Sequence, residues 1–213
     1  MKLPTMAEKT AEMLRVRRLA EHHTTGDWDF SDMLWNLDVG VFVSPPSSLH
    51  YSLQPDSTLE AKIKIAVVPI ANVKEGRFDA YYRVSSNAST WLHFITLFRW
   101  QDANNYYYTR IWSVDGRVQI YRVKLGVTVQ LATMNDGKWP VNTWKRFRVT
   151  WWNDYVGIAI RVEKFTDPTW THLLDGYDAE NNWKNIGGRV GLRMRVGYLH
   201  HVYTDDCVIY GVT

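Results

Sequence analysis

From residue 26 onward the chain alternates apolar and polar side chains in short runs, each closed by a turn signal, which is the period-two mark of half-buried strands. In TLEAKIKIAVV (58 to 68), Leu59, Ala61, Ile63, Ile65 and Val67 share one face while Glu60, Lys62 and Lys64 share the other. KRFRVTWWNDYVGIAIRVEKF (145 to 165) reads as two strands around an Asn153-Asp154 turn, with Val156, Ile158, Ile160 and Val162 facing inward on the second. Asp115-Gly116 and Asp136-Gly137 give further hairpin signals. Runs at this spacing predict an all-β body, a two-sheet antiparallel β-sandwich or jelly roll of roughly a dozen strands. No internal repeat is evident, which disfavours a propeller.

The first 25 residues follow a different period. Thr5 and Glu8 have the spacing of a capping box, with Pro4 just before it. Met6, Met13, Val16 and Ala20 fall on one stripe, and Arg15, Arg17 and Arg18 crowd the last turns, where cations suit the helix dipole. The pattern predicts an N-terminal arm (1 to 25) with a short amphipathic helix from Met6 to about Ala20, ahead of a sandwich over 26 to 213. Its stripe would pack on its own domain or dock on a neighbouring subunit.

Composition narrows the function classes. A hydrophobic fraction of 46% with 14% aromatics is enough for a large core, and 22% charged residues suits a folded globule. A net charge of +3 is too small to announce nucleic-acid binding. The single cysteine, Cys207, leaves no intrachain disulfide to form. The longest apolar run, IAVVPIA, is far short of the roughly 20 residues that span a bilayer. The opening stretch has no apolar segment of an export signal, so synthesis in the cytoplasm is the expectation.

Four stretches carry a resemblance: FRWQDANNYYYTRIWSVDGRVQIYRVKLGVTVQLA (98 to 132), TWKRFRVTWWNDYVGIAIRV (143 to 162), GGRVGLRM (187 to 194) and YTDDCVIYGV (203 to 212). In order and rhythm, over roughly residues 36 to 213, they resemble successive strands of the concanavalin A-like lectin/glucanase superfamily, the fold shared with laminin-G-like modules. The resemblance implies two antiparallel sheets, a concave face that often holds glycans, and in some members a calcium ion near the last strand. Asp27, Asp29, Asp205 and Asp206 would supply oxygens for calcium if the first and last strands pair. Catalytic glucanases of the superfamily carry a Glu-x-Asp-x-x-Glu or Glu-x-Asp-x-Glu strand motif, which this chain lacks. Its closest acidic cluster, Asp175, Asp178 and Glu180, lies in LLDGYDAENNW, whose Gly and Asn predict a loop with solvated carboxylates. No nucleophile elbow, phosphate-cradling glycine loop or zinc pattern is present, so an enzyme is not the expectation.

Two clusters remain as binding candidates. Residues 91 to 112 hold eight aromatic rings, and strand alternation puts Tyr106, Tyr108, Arg110 and Trp112 on one face and Tyr107, Thr109, Ile111 and Ser113 on the other. Only one of these faces can fill the inter-sheet core. The other, with Trp91 and Trp100 nearby, is suited to a glycan, to a subunit contact, or to burial under a loop. Arg189, Arg193 and Arg195 line one face of their strand, Arg146 and Arg148 repeat the arrangement, and Arg161 follows it. Were their strands neighbours, these guanidiniums would form one basic sheet surface favouring carboxylate or phosphate; otherwise they are solvated and paired with local acids such as Glu163. The expectation is a non-catalytic structural and binding protein, a subunit or decoration protein of an assembly such as a virus particle, with other protein subunits as partners. A lectin-like carbohydrate-binding module is the alternative, and a glycan hydrolase or lyase the third reading.

Overall fold

In the computed structural model the alternating runs become strands, and β7 (His93–Asp102) and β8 (Asn105–Trp112) bury side chains on both faces. The structure describes the backbone of residues 18–22, 29–30, 35–38, 48–52, 63–67, 72–84, 93–155, 157–180, 183–195 and 201–212, with side chains placed from residue 72 on except at 194–195, 201–203, 205–206 and 212. One sheet runs in the order β13 (Thr169–Asp178), β12 (Ile158–Thr166), β11 (Lys145–Asn153), β6 (Glu75–Val84), β15 (His201–Val212), β4 (Ser48–Ser52) and β3 (Trp35–Asp38), with β1 (Arg18–His22) also on β15. The other runs β10 (Val127–Asn135), β9 (Arg117–Lys124), β8 (Asn105–Trp112), β7 (His93–Asp102), β14 (Arg189–Arg195), β5 (Ile63–Val67) and β2 (Asp29–Phe30). All pairings are antiparallel. No helix among the described residues is long and apolar enough to cross a membrane.

Between the sheets lies one continuous core. Phe78, Ala80, Tyr82 and Val84 of β6, Phe147, Val149 and Trp151 of β11, and Ile158, Ile160 and Val162 of β12 meet Phe94, Phe98, Tyr107, Ile111, Val118 and Ile120 of the facing sheet. Rings lock the layers together: Phe98 stacks on Trp151 with centroids 5.0 Å apart, and Trp139 lies between Phe94 at 5.2 Å and Phe147 at 5.0 Å. Trp139 sits in the segment after β10 that crosses from one sheet to the other. Asp136-Gly137 therefore opens a crossover rather than the hairpin its sequence suggests, although Gly137 does take a φ of 82°.

Several expectations change in detail. Asn153 pairs with Ile158, so the hairpin after β11 turns through residues 154 to 157, closed by the Asp154 amide donating to the Gly157 carbonyl at 2.8 Å. Ile158, Ile160 and Val162 are buried as expected, and Val156 lies outside the described residues. Arg18–Ala20, the end of the expected N-terminal helix, instead begins β1, which docks on the last strand with Glu21 opposite Val208 and His22 opposite Cys207. The remainder of that helix lies outside the described residues, as do the side chains of the 58 to 68 run.

Candidate binding face

The segment from 105 to 112 is antiparallel to β7 on one side and β9 on the other, so cross-strand partners share a face. Tyr107 and Ile111 face the core. Opposite them a second cluster forms on the outer face of the sheet from Ile95, Leu97, Trp100, Tyr106, Tyr108, Tyr121 and Val123. Register arranges it in rows. Gly191, Leu97, Tyr108, Tyr121 and Gln130 follow one another across five strands, and Arg193, Ile95, Arg110 and Gln119 form the next row.

Both rings and guanidiniums are tied down. Tyr108 stacks on Tyr121 with centroids 4.8 Å apart and planes at 14°, while Trp100 leans on Tyr106 at 4.7 Å. Burial pushes the Tyr108 hydroxyl up to about 12. Arg110 donates to the Gln119 side-chain carbonyl through Nε at 3.0 Å and Nη2 at 2.7 Å, and to the Tyr121 hydroxyl at 2.6 Å. The Trp112 indole donates to the same Gln119 oxygen at 2.9 Å. Gln130 accepts from Gln119 Nε2 at 2.9 Å and from the Tyr121 hydroxyl at 3.0 Å. Arg193 donates to the Tyr106 hydroxyl at 2.9 Å.

The ring planes of this face are not open. The rings stack on one another and are buried together with Gln119, so the accessible groups of the face are Arg110, Arg193 and Gln130 rather than open ring planes. The Trp112 ring is crowded by His93 at 3.7 Å between centroids and by the guanidiniums of Arg110 at 4.9 Å and Arg117 at 4.8 Å. Trp91 lies outside the described residues.

Trp100 reaches this face through a feature that alternation does not reveal. After Phe98 the β7 register shifts, and Arg99 adopts a φ of 50°. Strict alternation would place Arg99 outward and Trp100 in the core; the bulge exchanges them. Arg99 becomes fully buried and donates to the carbonyls of Trp183 at 2.7 Å and of Lys74, and to Asn153 Oδ1 at 2.8 Å. Burial lowers its guanidinium to about 10. An arginine inside the otherwise apolar run TLFRW was the one sequence signal of this exchange.

The two arginine groups do not form one surface. Arg146, Arg148 and Arg161 lie on neighbouring strands β11 and β12, whereas Arg189, Arg193 and Arg195 belong to β14 in the opposite sheet. On the first sheet the buried carboxylate of Asp79 gathers Arg148 in a bidentate pair at 2.9 Å and 2.9 Å, Arg77 at 3.3 Å and Arg146 at 3.8 Å. Arg148 also lies 3.7 Å over the Trp170 ring. Arg161 pairs with Asp175 at 2.9 Å. Asp79 and Asp175 are thus the carboxylates in direct contact with these arginines, and Glu163 stands opposite Arg148 in the ladder.

The acidic cluster is also placed differently. Asp175 and Asp178 sit within β13 rather than in a loop. Buried Asp178 accepts from the Tyr107 hydroxyl at 2.5 Å and from Arg122 at 2.8 Å, and Glu180 binds Arg122 at 2.7 Å and Lys124. Hydrogen bonding from Lys124 holds the Glu180 carboxyl below its usual range. Asp178 and Glu180 thus tie β13 and the residues after it to β9 of the other sheet, while Asp175 pairs within its own sheet.

The backbone puts the expected calcium ligands on strands of both sheets. Asp29 opens β2, which pairs with β5 in one sheet, while Asp205 and Asp206 lie on β15 in the other. The first strand does pair with the last, but it is β1, which carries neither Asp27 nor Asp29. Asp27 lies outside the described residues, and among those described no three candidate ligands cluster. The side chains of Asp29, Asp205 and Asp206 likewise lie outside the described residues.

Neither a protein-family model nor a curated protein sequence matches the chain. Solved structures do. The carbohydrate-binding module CBM66 from Bacillus subtilis superposes with a TM-score of 0.61 at 12% identity, over 87% of this chain and 96% of that one. The exoplasmic/lumenal domain of VIP36, solved with calcium and Man3GlcNAc, gives 0.60 at 11% identity over 93% and 90%. A Bacillus licheniformis β-glucanase gives 0.60 at 12% identity over 90% and 95%. Together with the two antiparallel sheets and their shared core, these superpositions identify the chain's fold as the concanavalin A-like lectin/glucanase sandwich.

Proposed function

We propose that the chain is a non-catalytic, lectin-like carbohydrate-binding module that uses the outer face of the seven-stranded sheet. The observation that carries the reading is the connected set Arg110, Gln119, Tyr121 and Gln130, whose donors and acceptors are already oriented beside a ring cluster. Saccharide hydroxyls are bound by such pre-oriented polar groups next to aromatic carbon, because little side-chain freedom is lost on binding. CBM66 and the VIP36 domain, which share the fold, are respectively a carbohydrate-binding module and a domain solved with a bound glycan. A glycan array probed with the full chain tests the reading. Binding to a defined saccharide class, weakened roughly tenfold in Tyr121→Phe as one hydroxyl contact is lost, supports it; an array without binding rejects it.

A second reading, a subunit of a larger assembly such as a virus particle, draws on a different feature. Leu125, Val127 and Val129, along the tip and free edge of the β9–β10 hairpin, are exposed apolar side chains. Sedimentation of the full chain tests it, and a monomer at all accessible concentrations speaks against it. Calcium is tested separately, by melting the protein in millimolar calcium and in chelator; equal melting temperatures reject a bound ion.

A further inference from the structure

Charge is distributed unevenly between the sheets. Strands β6, β11, β12 and β13 carry seven arginines and lysines against five carboxylates. Strands β7, β8, β9, β10 and β14 carry eight against one, Asp102, at the end of β7. Three of those eight are accounted for away from the outer face: Arg99 is buried at the bulge, and Arg122 and Lys124 pair with Asp178 and Glu180. On the outer face Arg117 pairs with Asp115 in the neighbouring turn.

Of the other four, Arg110 and Arg193 have neutral partners, and the Arg195 side chain lies outside the described residues. Register puts Arg110 and Arg193 on either side of Ile95 in a single row across β14, β7 and β8. With strands roughly 4.8 Å apart, their backbones are about 10 Å from each other; Arg110 is bonded toward β9 and Arg193 toward Tyr106, so an anionic group above Ile95 would draw both guanidiniums inward from these neutral acceptors. Among the described residues neither guanidinium has a carboxylate partner. The Nη1 group of Arg110 has no acceptor there, and Arg193 Nε is buried without a hydrogen bond. A guanidinium held by neutral acceptors has no carboxylate beside it to offset its charge, and guanidiniums recognise carboxylate or sulfate oxygens.

We propose that the Arg193–Ile95–Arg110 row selects an anionic saccharide, one bearing a sulfate or a uronic carboxylate, over its neutral counterpart. This rests on the carbohydrate-binding reading and deepens it. The two guanidiniums take the anionic group above Ile95, while Gln130 and the tyrosine hydroxyls of Tyr106 and Tyr121 meet the sugar hydroxyls around it.

Isothermal titration of the full chain against dextran, dextran sulfate, polygalacturonate and its methyl ester separates the sources of charge. One charged polymer is expected to bind roughly tenfold tighter than its neutral form, the gain falling with added salt. The double variant R110Q/R193Q should lose that preference while remaining folded, and R83Q, on the other sheet, should keep it. Equal affinity for charged and neutral forms, a preference that survives R110Q/R193Q, or equally tight binding of an oligo-dT strand overturns the proposal. If a neutral glycan binds the array and the charged polymers bind no tighter, only the anion preference falls. If nothing binds, the carbohydrate reading falls with it.

Discussion

The Tyr107 hydroxyl donates to the Asp178 carboxylate at 2.5 Å, joining β8 of one sheet to the edge strand β13 of the other. Asp178 is 4% exposed and takes a second bond from Arg122 at 2.8 Å, so one carboxylate closes that side of the sandwich. Removing it strands a phenol and a guanidinium together. Asp178→Ala should cost about 3 to 5 kcal/mol in urea unfolding, as for other broken buried pairs; a loss under about 1 kcal/mol would show that water takes over the site.

Burial holds three tyrosines protonated into strong base. Tyr108 is raised to about 12, and Tyr82 and Tyr107 are raised further, chiefly by desolvation. The unfolded chain ionises these phenols near 10, so their stabilising contribution is complete below that pH and declines as pH rises toward the folded values. Absorbance at 295 nm during alkaline titration should therefore show a late fraction that ionises together with unfolding. A single transition near 10 with the fold intact would contradict it.

Acid acts through Glu180. Its folded value is depressed by Lys124, so the contribution is present above the ordinary carboxylate range and lost as pH falls through the folded value. The group is partly exposed, which makes the effect small. E180Q should melt slightly lower than the parent at neutral pH and equally at about pH 2.

Gly188 lies against the β7 bulge. A Cβ there would stand 2.4 Å from the Arg99 carbonyl carbon and 2.7 Å from the Trp100 amide nitrogen. Gly188→Ala should destabilise by about 1 to 3 kcal/mol and weaken saccharide binding, because the backbone that turns Trp100 outward has to move. Unchanged melting would mean that the bulge yields freely.

The β9–β10 turn holds a residue against its preference. Leu125 has a φ of 50° and is 79% exposed, ahead of Gly126 at 77°. Asn tolerates this left-handed backbone better, so Leu125→Asn should stabilise the chain by about 1 kcal/mol. A destabilised variant would indicate that the leucine is packed in solution.

Some positions were legible in the sequence because their burial is local. The period-two runs around Ile158, Ile160 and Val162 are buried as read, and the inward and outward sets of the 105 to 112 strand divide as alternation requires. LLDGYDAENNW has a loop's composition, yet its residues 173–178 belong to β13. Gly176 belongs to a strand because a Cβ there would meet Ile120 Cδ1 at 2.8 Å; close packing between sheets, not turn chemistry, calls for the glycine.

By itself the sequence determined strand rhythm, an all-β body and which side chains share a face along each strand, since these follow from the pleat of a single chain. Only the tertiary structure decided that Arg146 and Arg193 belong to opposite sheets, that Asp178 is a buried link and that Arg99 and Trp100 exchange sides. Those outcomes depend on strand order and on one extra residue in a ladder. Such long-range pairings arise when distant segments compete to cover one core, and no local pattern records them.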